Sequence, residues 1–223
     1  NMIANEAFLD SATLRENVVS LAGNIGYTPR SRTASTAQIS FNITTTVNTP
    51  TLTLKAGIVC VGNTNDTSHT FAISEDITAN TVSGPTNSNG DPTFIASFNN
   101  INVFQGIFLT KQFLYDGSLD QRFVLNNSFI DTSTLKVYIS KSQGTLGTEY
   151  FLSENIFDVD KNTRLFFINE IQDEKYELRF GDGIIGKKLG DDGDGTYITA
   201  NYIVTDGRDG NGASNFSFSG TLE

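Results

Sequence analysis

The chain has 223 residues, a net charge of -10, 38% apolar residues, one cysteine and one histidine. The charge disfavours binding to a phosphate backbone, so no nucleic-acid partner is expected, and no run reaches the ~18 apolar residues of a membrane helix, so no direct membrane insertion is expected. Cys60 and His69 each stand alone, which excludes an internal disulfide scaffold, a cysteine-based zinc cluster and a multi-histidine metal site.

Thr, Ser, Asn and Gly dominate the composition, and this favours strands and turns over helices. Residues 5–9 read as a short helical turn. Leu14, Val18, Leu21, Ala22 and Ile25 then recur at i, i+4, i+7, i+8 and i+11 and define one apolar helix face. Thr13 and Glu16 have capping-box spacing, and Gly26 can stop the helix. So narrow a stripe needs a surface to cover it, because a lone helix of about a dozen residues is marginal in water. Leu14, Val18, Leu21 and Ile25 are therefore the candidate docking or partner-interface residues. Val18 and Leu21 are expected to pack on the β module, with Tyr27 and Pro29 directing the chain into the first strand.

From Ala34 the period changes to two. Ala37, Ile39, Phe41, Ile43 and Val47 alternate with Gln38, Ser40, Asn42 and Thr44, as in a half-buried strand. Leu52 and Leu54 continue the pattern, Ile58 to Val61 is a short apolar run, and Phe71 and Ile73 form another alternating pair. Residues 80–92 hold Gly84-Pro85, Asn89-Gly90 and Asp91-Pro92 and read as a loop. Strands are then expected within 94–103, 107–115, 123–125, 135–139, 150–152, 165–168, 176–180 and 198–204. The spacing of about 8–12 residues with turn punctuation predicts an all-β sandwich or barrel.

The resulting fold class is mainly β: a short N-terminal helical segment followed by two β-sandwich or barrel-like modules, one a candidate insertion in the other. Residues 1–32 form the helical lead-in. Residues 33–105 form the first β module, completed by 190–223, and 106–189 form the second, inserted module. The crossings are placed at 99–106 and 186–195.

Chemistry-bearing residues are sparse. Cys60 and His69 lie on separate expected strands with no nucleophile signature around either, so Cys60 reads as a small buried hydrophobe and His69 as a surface residue. Asp182, Asp191, Asp192 and Asp194 alternate with glycines, a pattern that suits both hairpin turns and oxygen ligands for calcium. A helix-loop-helix calcium site needs Glu at its twelfth position, where counting from Asp191 reaches Tyr202. Turns are the expected role. The Gly186-Lys187 pair sits in too short a loop for a nucleotide site, with no Ser or Thr after the lysine. No catalytic residue, cofactor or metal ligand is expected, and the chain reads as a non-enzyme. An acidic extracellular β-domain that binds carbohydrate or acts as an adhesin is the alternative class, although tryptophan is absent.

Three segments carry a resemblance. The first runs Asn5-Glu-Ala-Phe-Leu-Asp-Ser-Ala-Thr-Leu-Arg-Glu-Asn-Val-Val-Ser-Leu-Ala22 and ends in Gly26-Tyr-Thr-Pro-Arg-Ser31. The second is Phe123-Val-Leu-Asn-Asn-Ser-Phe-Ile-Asp131-Thr-Ser-Thr-Leu-Lys-Val-Tyr-Ile139. The third is Phe180-Gly-Asp-Gly-Ile-Ile-Gly-Lys187, followed by Thr196-Tyr-Ile-Thr-Ala-Asn-Tyr-Ile-Val-Thr-Asp-Gly207. In this order they resemble the baseplate wedge subunit of T4-like contractile-tailed phages, within the baseplate-J-like family. The resemblance implies an internal fragment of a longer structural protein of the virion tail baseplate, assembled in the host cytoplasm. Such subunits link wedges into a ring around the tail hub and rearrange when the sheath contracts. It also implies other wedge proteins, and another copy of the longer protein, as partners, with the isolated fragment monomeric.

Overall fold

A computed structural model of the protein describes residues 6–24, 31–64, 67–118, 120–145, 147–153, 159–190 and 195–223. Among them, one α-helix, α1 (Arg15–Asn24), precedes fourteen strands. These are β1 (Thr36–Thr45), β2 (Thr51–Leu54), β3 (Gly57–Asn63), β4 (Ser68–Ile73), β5 (Ile77–Ser83), β6 (Phe94–Gln105) and β7 (Ile107–Leu114). They continue as β8 (Phe123–Leu125), β9 (Ile130–Ser140), β10 (Thr148–Leu152), β11 (Leu165–Ile171), β12 (Lys175–Phe180), β13 (Tyr197–Val204) and β14 (Ser214–Phe218). The mainly-β class, the N-terminal helix and the two sheets agree with the expectation.

The chain divides into two compact units. One comprises Asn1–Arg32, Thr110–Ile130 and Lys136–Ala200; the other comprises Thr33–Leu109, Asp131–Leu135 and Asn201–Glu223.

The second of these units holds a seven-stranded sheet in the order β14-β3-β4-β6-β5-β2, with β1 paired to β6. Strand β6 organises it. β1 runs antiparallel along β6 from Thr36↔Phe104 to Thr45↔Phe94, β5 meets Phe94 to Ala96, and β4 meets Phe104 and Gln105. The register of β1 slips once between Ile39 and Phe41. Opposite the slip, Asn100 takes a positive φ of 54° and its N–H donates to Ser40 Oγ at 2.9 Å. Asparagine tolerates that left-handed conformation better than most residues. The alternation in β1 follows from one-sided burial: Ala37, Ile39, Phe41 and Ile43 pack against a core of Leu54, Val59, Cys60, Phe71, Phe98 and their neighbours. Phe41 stacks on Phe98 with ring centroids 5.1 Å apart.

Three expectations need correction in this unit. The 80–92 stretch is not loop throughout, because β5 extends to Ser83 and Thr51 to Leu54 pair with Asn80 to Ile77. Pairing with β2 up to Asn80 and with β6 from Thr81 to Ser83 holds those polar residues extended, and the turn begins only at Gly84. Residues 99–105 are not loop, since β6 runs unbroken through Asn99 and Asn100 to Gln105, and the two units divide just beyond it, between Leu109 and Thr110. The two asparagines, which look like a turn, are the bulge. Finally β14 had no counterpart in the sequence reading. It pairs Phe218↔Cys60, after which residues 221–223 pair with β2: Lys55 N–H donates to the Thr221 carbonyl, and Thr53 and Glu223 exchange two backbone bonds.

A buried polar network ties the segments of this unit together. Gln105, 3% exposed, accepts from Thr205 Oγ1 (2.8 Å) and Asp206 N–H (3.1 Å) and donates to Asp206 Oδ2 (3.1 Å). Ser35 donates to the Gly207 carbonyl. Asp131, 1% exposed, accepts from Ala34 N–H at 2.8 Å and from Ser133 N–H and Oγ at 3.0 and 2.6 Å. An Asp131→Ala variant leaves those donors without partners in a buried place. It is expected to lose about 2–3 kcal/mol, read as a drop in the denaturant midpoint at unchanged slope.

The other sheet has the order β7-β13-β9-β10-β11-β12-β8. Within it β10 and β11 run parallel. In the unit that contains most of it, Phe113, Phe123 and Phe180 meet edge to face at centroid distances of 5.6 Å, and Tyr150 joins at 6.1 Å. Aromatic pairs in this geometry add to the burial energy of the rings.

Candidate functional site

The helix stripe comes first, since Leu14, Val18, Leu21 and Ile25 were the named residues. Leu14 precedes α1 and is 50% exposed. Val18 and Leu21 are half-buried, and Ala22 is buried at 4% exposure. Ile25 lies outside the described residues, as do Gly26, Tyr27 and Pro29. Before the helix, turns at residues 6–11 leave Phe8 and Leu9 68% and 44% exposed. Together with Leu14 they put exposed apolar side chains at the start of the helical segment.

Of the expected Thr13–Glu16 capping box, the Glu16 side chain lies outside what is described, and Thr13 is itself bonded from further back. The Glu6 carboxylate accepts from Thr13 N–H (3.0 Å), Thr13 Oγ1 (2.7 Å), Leu14 N–H (3.2 Å) and Asn17 Nδ2 (2.7 Å). A free carboxylate outcompetes a hydroxyl for the unpaired N–H groups of a helix start, because its charge strengthens each bond. The Asn17 bond, then those from Thr13, hold the Glu6 carboxyl at about 2, well below the usual carboxylate range. A lowered folded pKa contributes stability that is present above the unfolded value near 4.5 and lost as pH falls toward 2. Amide exchange across residues 15–24 is therefore expected to stay slow from pH 7 to 5 and to accelerate, beyond its intrinsic pH dependence, between about pH 4.5 and 2. A Glu6→Gln variant should remove that acid step.

One further tie holds α1. Arg15 makes a two-pronged ion pair with Glu170 on β11, Nε to Oε1 at 2.9 Å and Nη2 to Oε2 at 3.0 Å. The Glu170 side chain is 3% exposed, and its hydrogen bond raises the Arg15 pKa. Neither Glu6 nor Glu170 carried a sequence signal: one sits seven residues before its partner, and the other sits on a strand far along the chain.

A second feature is an apolar groove of about 280 Å³, lined by Ile39, Ser40 and Phe41 of β1, Cys60 of β3, and Phe216 and Phe218 of β14. The Phe41 and Phe218 rings meet across it at 5.0 Å. Burial pushes the Cys60 thiol up to about 11, so it is held as the neutral thiol and not the nucleophilic thiolate.

No family model matches the chain. The chain is similar to the baseplate wedge protein gp6 of Enterobacteria phage T4, with 24% identity over 237 aligned positions. The match covers 100% of this chain and 34% of that protein, so the chain spans about a third of the length of the curated relative. The relationship is to a phage baseplate protein and extends through both compact units.

Of the remaining candidates, Cys60, His69 and Asp182 lie among the described residues. His69 is opposite Gly62 in the β3–β4 pair, and its Nε2 is 2.9 Å from Thr67 Oγ1. It is half-buried, where a surface position was expected, because it faces a strand neighbour. Asp182 Oδ1 accepts from Ile184 and Ile185 N–H at 2.8 and 2.9 Å, closing the turn that Gly183 and Gly186 complete. Asp191, Asp192 and Asp194 lie outside the described residues.

Proposed function

We propose that this chain is a structural part of a contractile-tail baseplate wedge, that it helps link wedges into a ring around the tail hub, and that it rearranges when the sheath contracts. It carries out this role without catalysis, cofactor or metal. The observation that carries the reading is the similarity to a baseplate wedge protein over the whole chain. The exposed Phe8, Leu9 and Leu14 support it, since exposed apolar residues gathered within one short segment suit a protein that works in contact with others. Its partners are other wedge proteins and, through the longer protein, another copy of itself; its place is the virion tail baseplate.

Co-expression of the longer protein with the neighbouring tail proteins tests this. The expected result is a stable complex whose electron-microscopy density accommodates both β units and which is weakened by Leu14→Asp. Specific binding to a glycan array, with no co-assembly, would overturn it in favour of a carbohydrate-binding domain.

A further inference from the structure

The groove beside β1 has the form of a strand-docking site. Among the described residues β1 pairs with β6 alone and β14 with β3 alone, so each presents an unpaired edge. In an antiparallel edge strand every second residue points its N–H and C=O away from its partner. Three consecutive residues of β1, Ile39, Ser40 and Phe41, line the groove. Successive side chains point to opposite faces, so a groove that touches all three follows the strand's edge and not only its inner face.

The usual protection of such an edge is missing. β1 reads Thr-Ala-Gln-Ile-Ser-Phe-Asn-Ile-Thr-Thr, and β14 reads Ser-Asn-Phe-Ser-Phe. Neither strand holds a charge or a proline, although the chain as a whole carries a net -10. Natural sheets normally place lysine or proline on a long exposed edge to prevent pairing with another chain. The devices present are irregularities of register: the Asn99-Asn100 bulge of β6 opposite Ser40, and a shift between Ser214 and Ser217 on β14.

We propose that the free edge of β1 takes an extended, uncharged segment of another protein chain, one apolar side chain of which fills the groove between Phe41, Phe216 and Phe218. Backbone pairing would supply the affinity and the groove the choice of side chain. The neutral rim matches a neutral strand, which meets no repulsion there. At about 280 Å³ the groove is smaller than the ~300–1,000 Å³ of small-molecule pockets and suits a side chain better than a free ligand. The inference rests on the assembly role above only for the source of the strand; the docking geometry stands apart from it.

The test uses the isolated chain and an end-blocked synthetic peptide of alternating threonine and valine with a central phenylalanine. Hydrogen exchange is followed residue by residue. With the peptide at about ten times its Kd, alternate β1 amides should exchange about tenfold more slowly, since the ligand binds only the paired state. A peptide with proline in place of every second threonine should have no such effect, and Asn42→Lys, on an exposed residue of β1, should weaken binding about tenfold at unchanged melting temperature. Unchanged β1 exchange at millimolar peptide, or equal protection by the proline peptide, would overturn the proposal. Peptide binding without co-assembly would retain the groove and reject the baseplate role; co-assembly without peptide binding would do the reverse.

Discussion

Replacing Phe98 by alanine is expected to cost about 3–5 kcal/mol, the range for removing a fully buried aromatic from a core that relaxes only in part. Phe98 is 1% exposed and lies on β6, the strand that β1, β4 and β5 all join. Its ring stacks on Phe41, which in turn touches Phe218 on β14. The cavity therefore loosens contacts with elements far apart in the chain. For a chain of this size the melting temperature should fall by roughly 10 °C. Val82→Ala is the control: Val82 is 61% exposed, and the change should stay within about 0.5 kcal/mol. Equal melting shifts in the two variants would mean that β6 does not hold the centre of this core.

The second large effect is a steric one at Gly106→Ala. Gly106 joins β6 to β7 at a φ of 141°. A Cβ there would fall inside contact distance of the Val204 carbonyl oxygen and 2.7 Å from Ile203 Cγ2. Backbone and buried side chain cannot both withdraw, since Ile203 is fully buried and Gly106 is itself bonded to Thr70 through its N–H and its carbonyl. Strain and overpacking together should cost about 4 kcal/mol. Gly57→Ala separates the two causes, because Gly57 has a φ of 137° but open space around its Cβ position. That variant should lose only about 1–2 kcal/mol from the unfavourable φ. Chemical denaturation of the pair measures the difference, and similar losses would leave backbone strain alone as the explanation.

What could be read from residue order depended on whether burial is one-sided. β1 alternates because Ala37, Ile39, Phe41 and Ile43 face the core while Gln38, Ser40, Asn42 and Thr44 are exposed. That pattern is local and visible. β14 has only Phe216 and Phe218 among polar neighbours, and what makes it a strand is its pairing with β3. The same holds for the chain end at β2, where backbone groups and not side-chain pattern make the contact. Around Asn99-Asn100 the composition signals a turn, and the long pairing with β1 converts that signal into a bulge.

The candidate helix site shows the same division. The apolar face of α1 was visible in the spacing, and Val18, Leu21 and Ala22 are at least half-buried. Its cap was not, because a carboxylate at Glu6 competes with Thr13 only if an upstream turn brings it there. Nor was the Arg15–Glu170 pair, which joins groups 155 residues apart. By itself the sequence determined the β class, the buried face of the clearest strands and the helix, since periodicity and turn chemistry act within a few residues. Tertiary structure alone decided which edges pair, which carboxylate caps the helix and where β1 is left open, because backbone hydrogen bonds carry no residue identity and find their partners only when the surrounding faces have already been brought together.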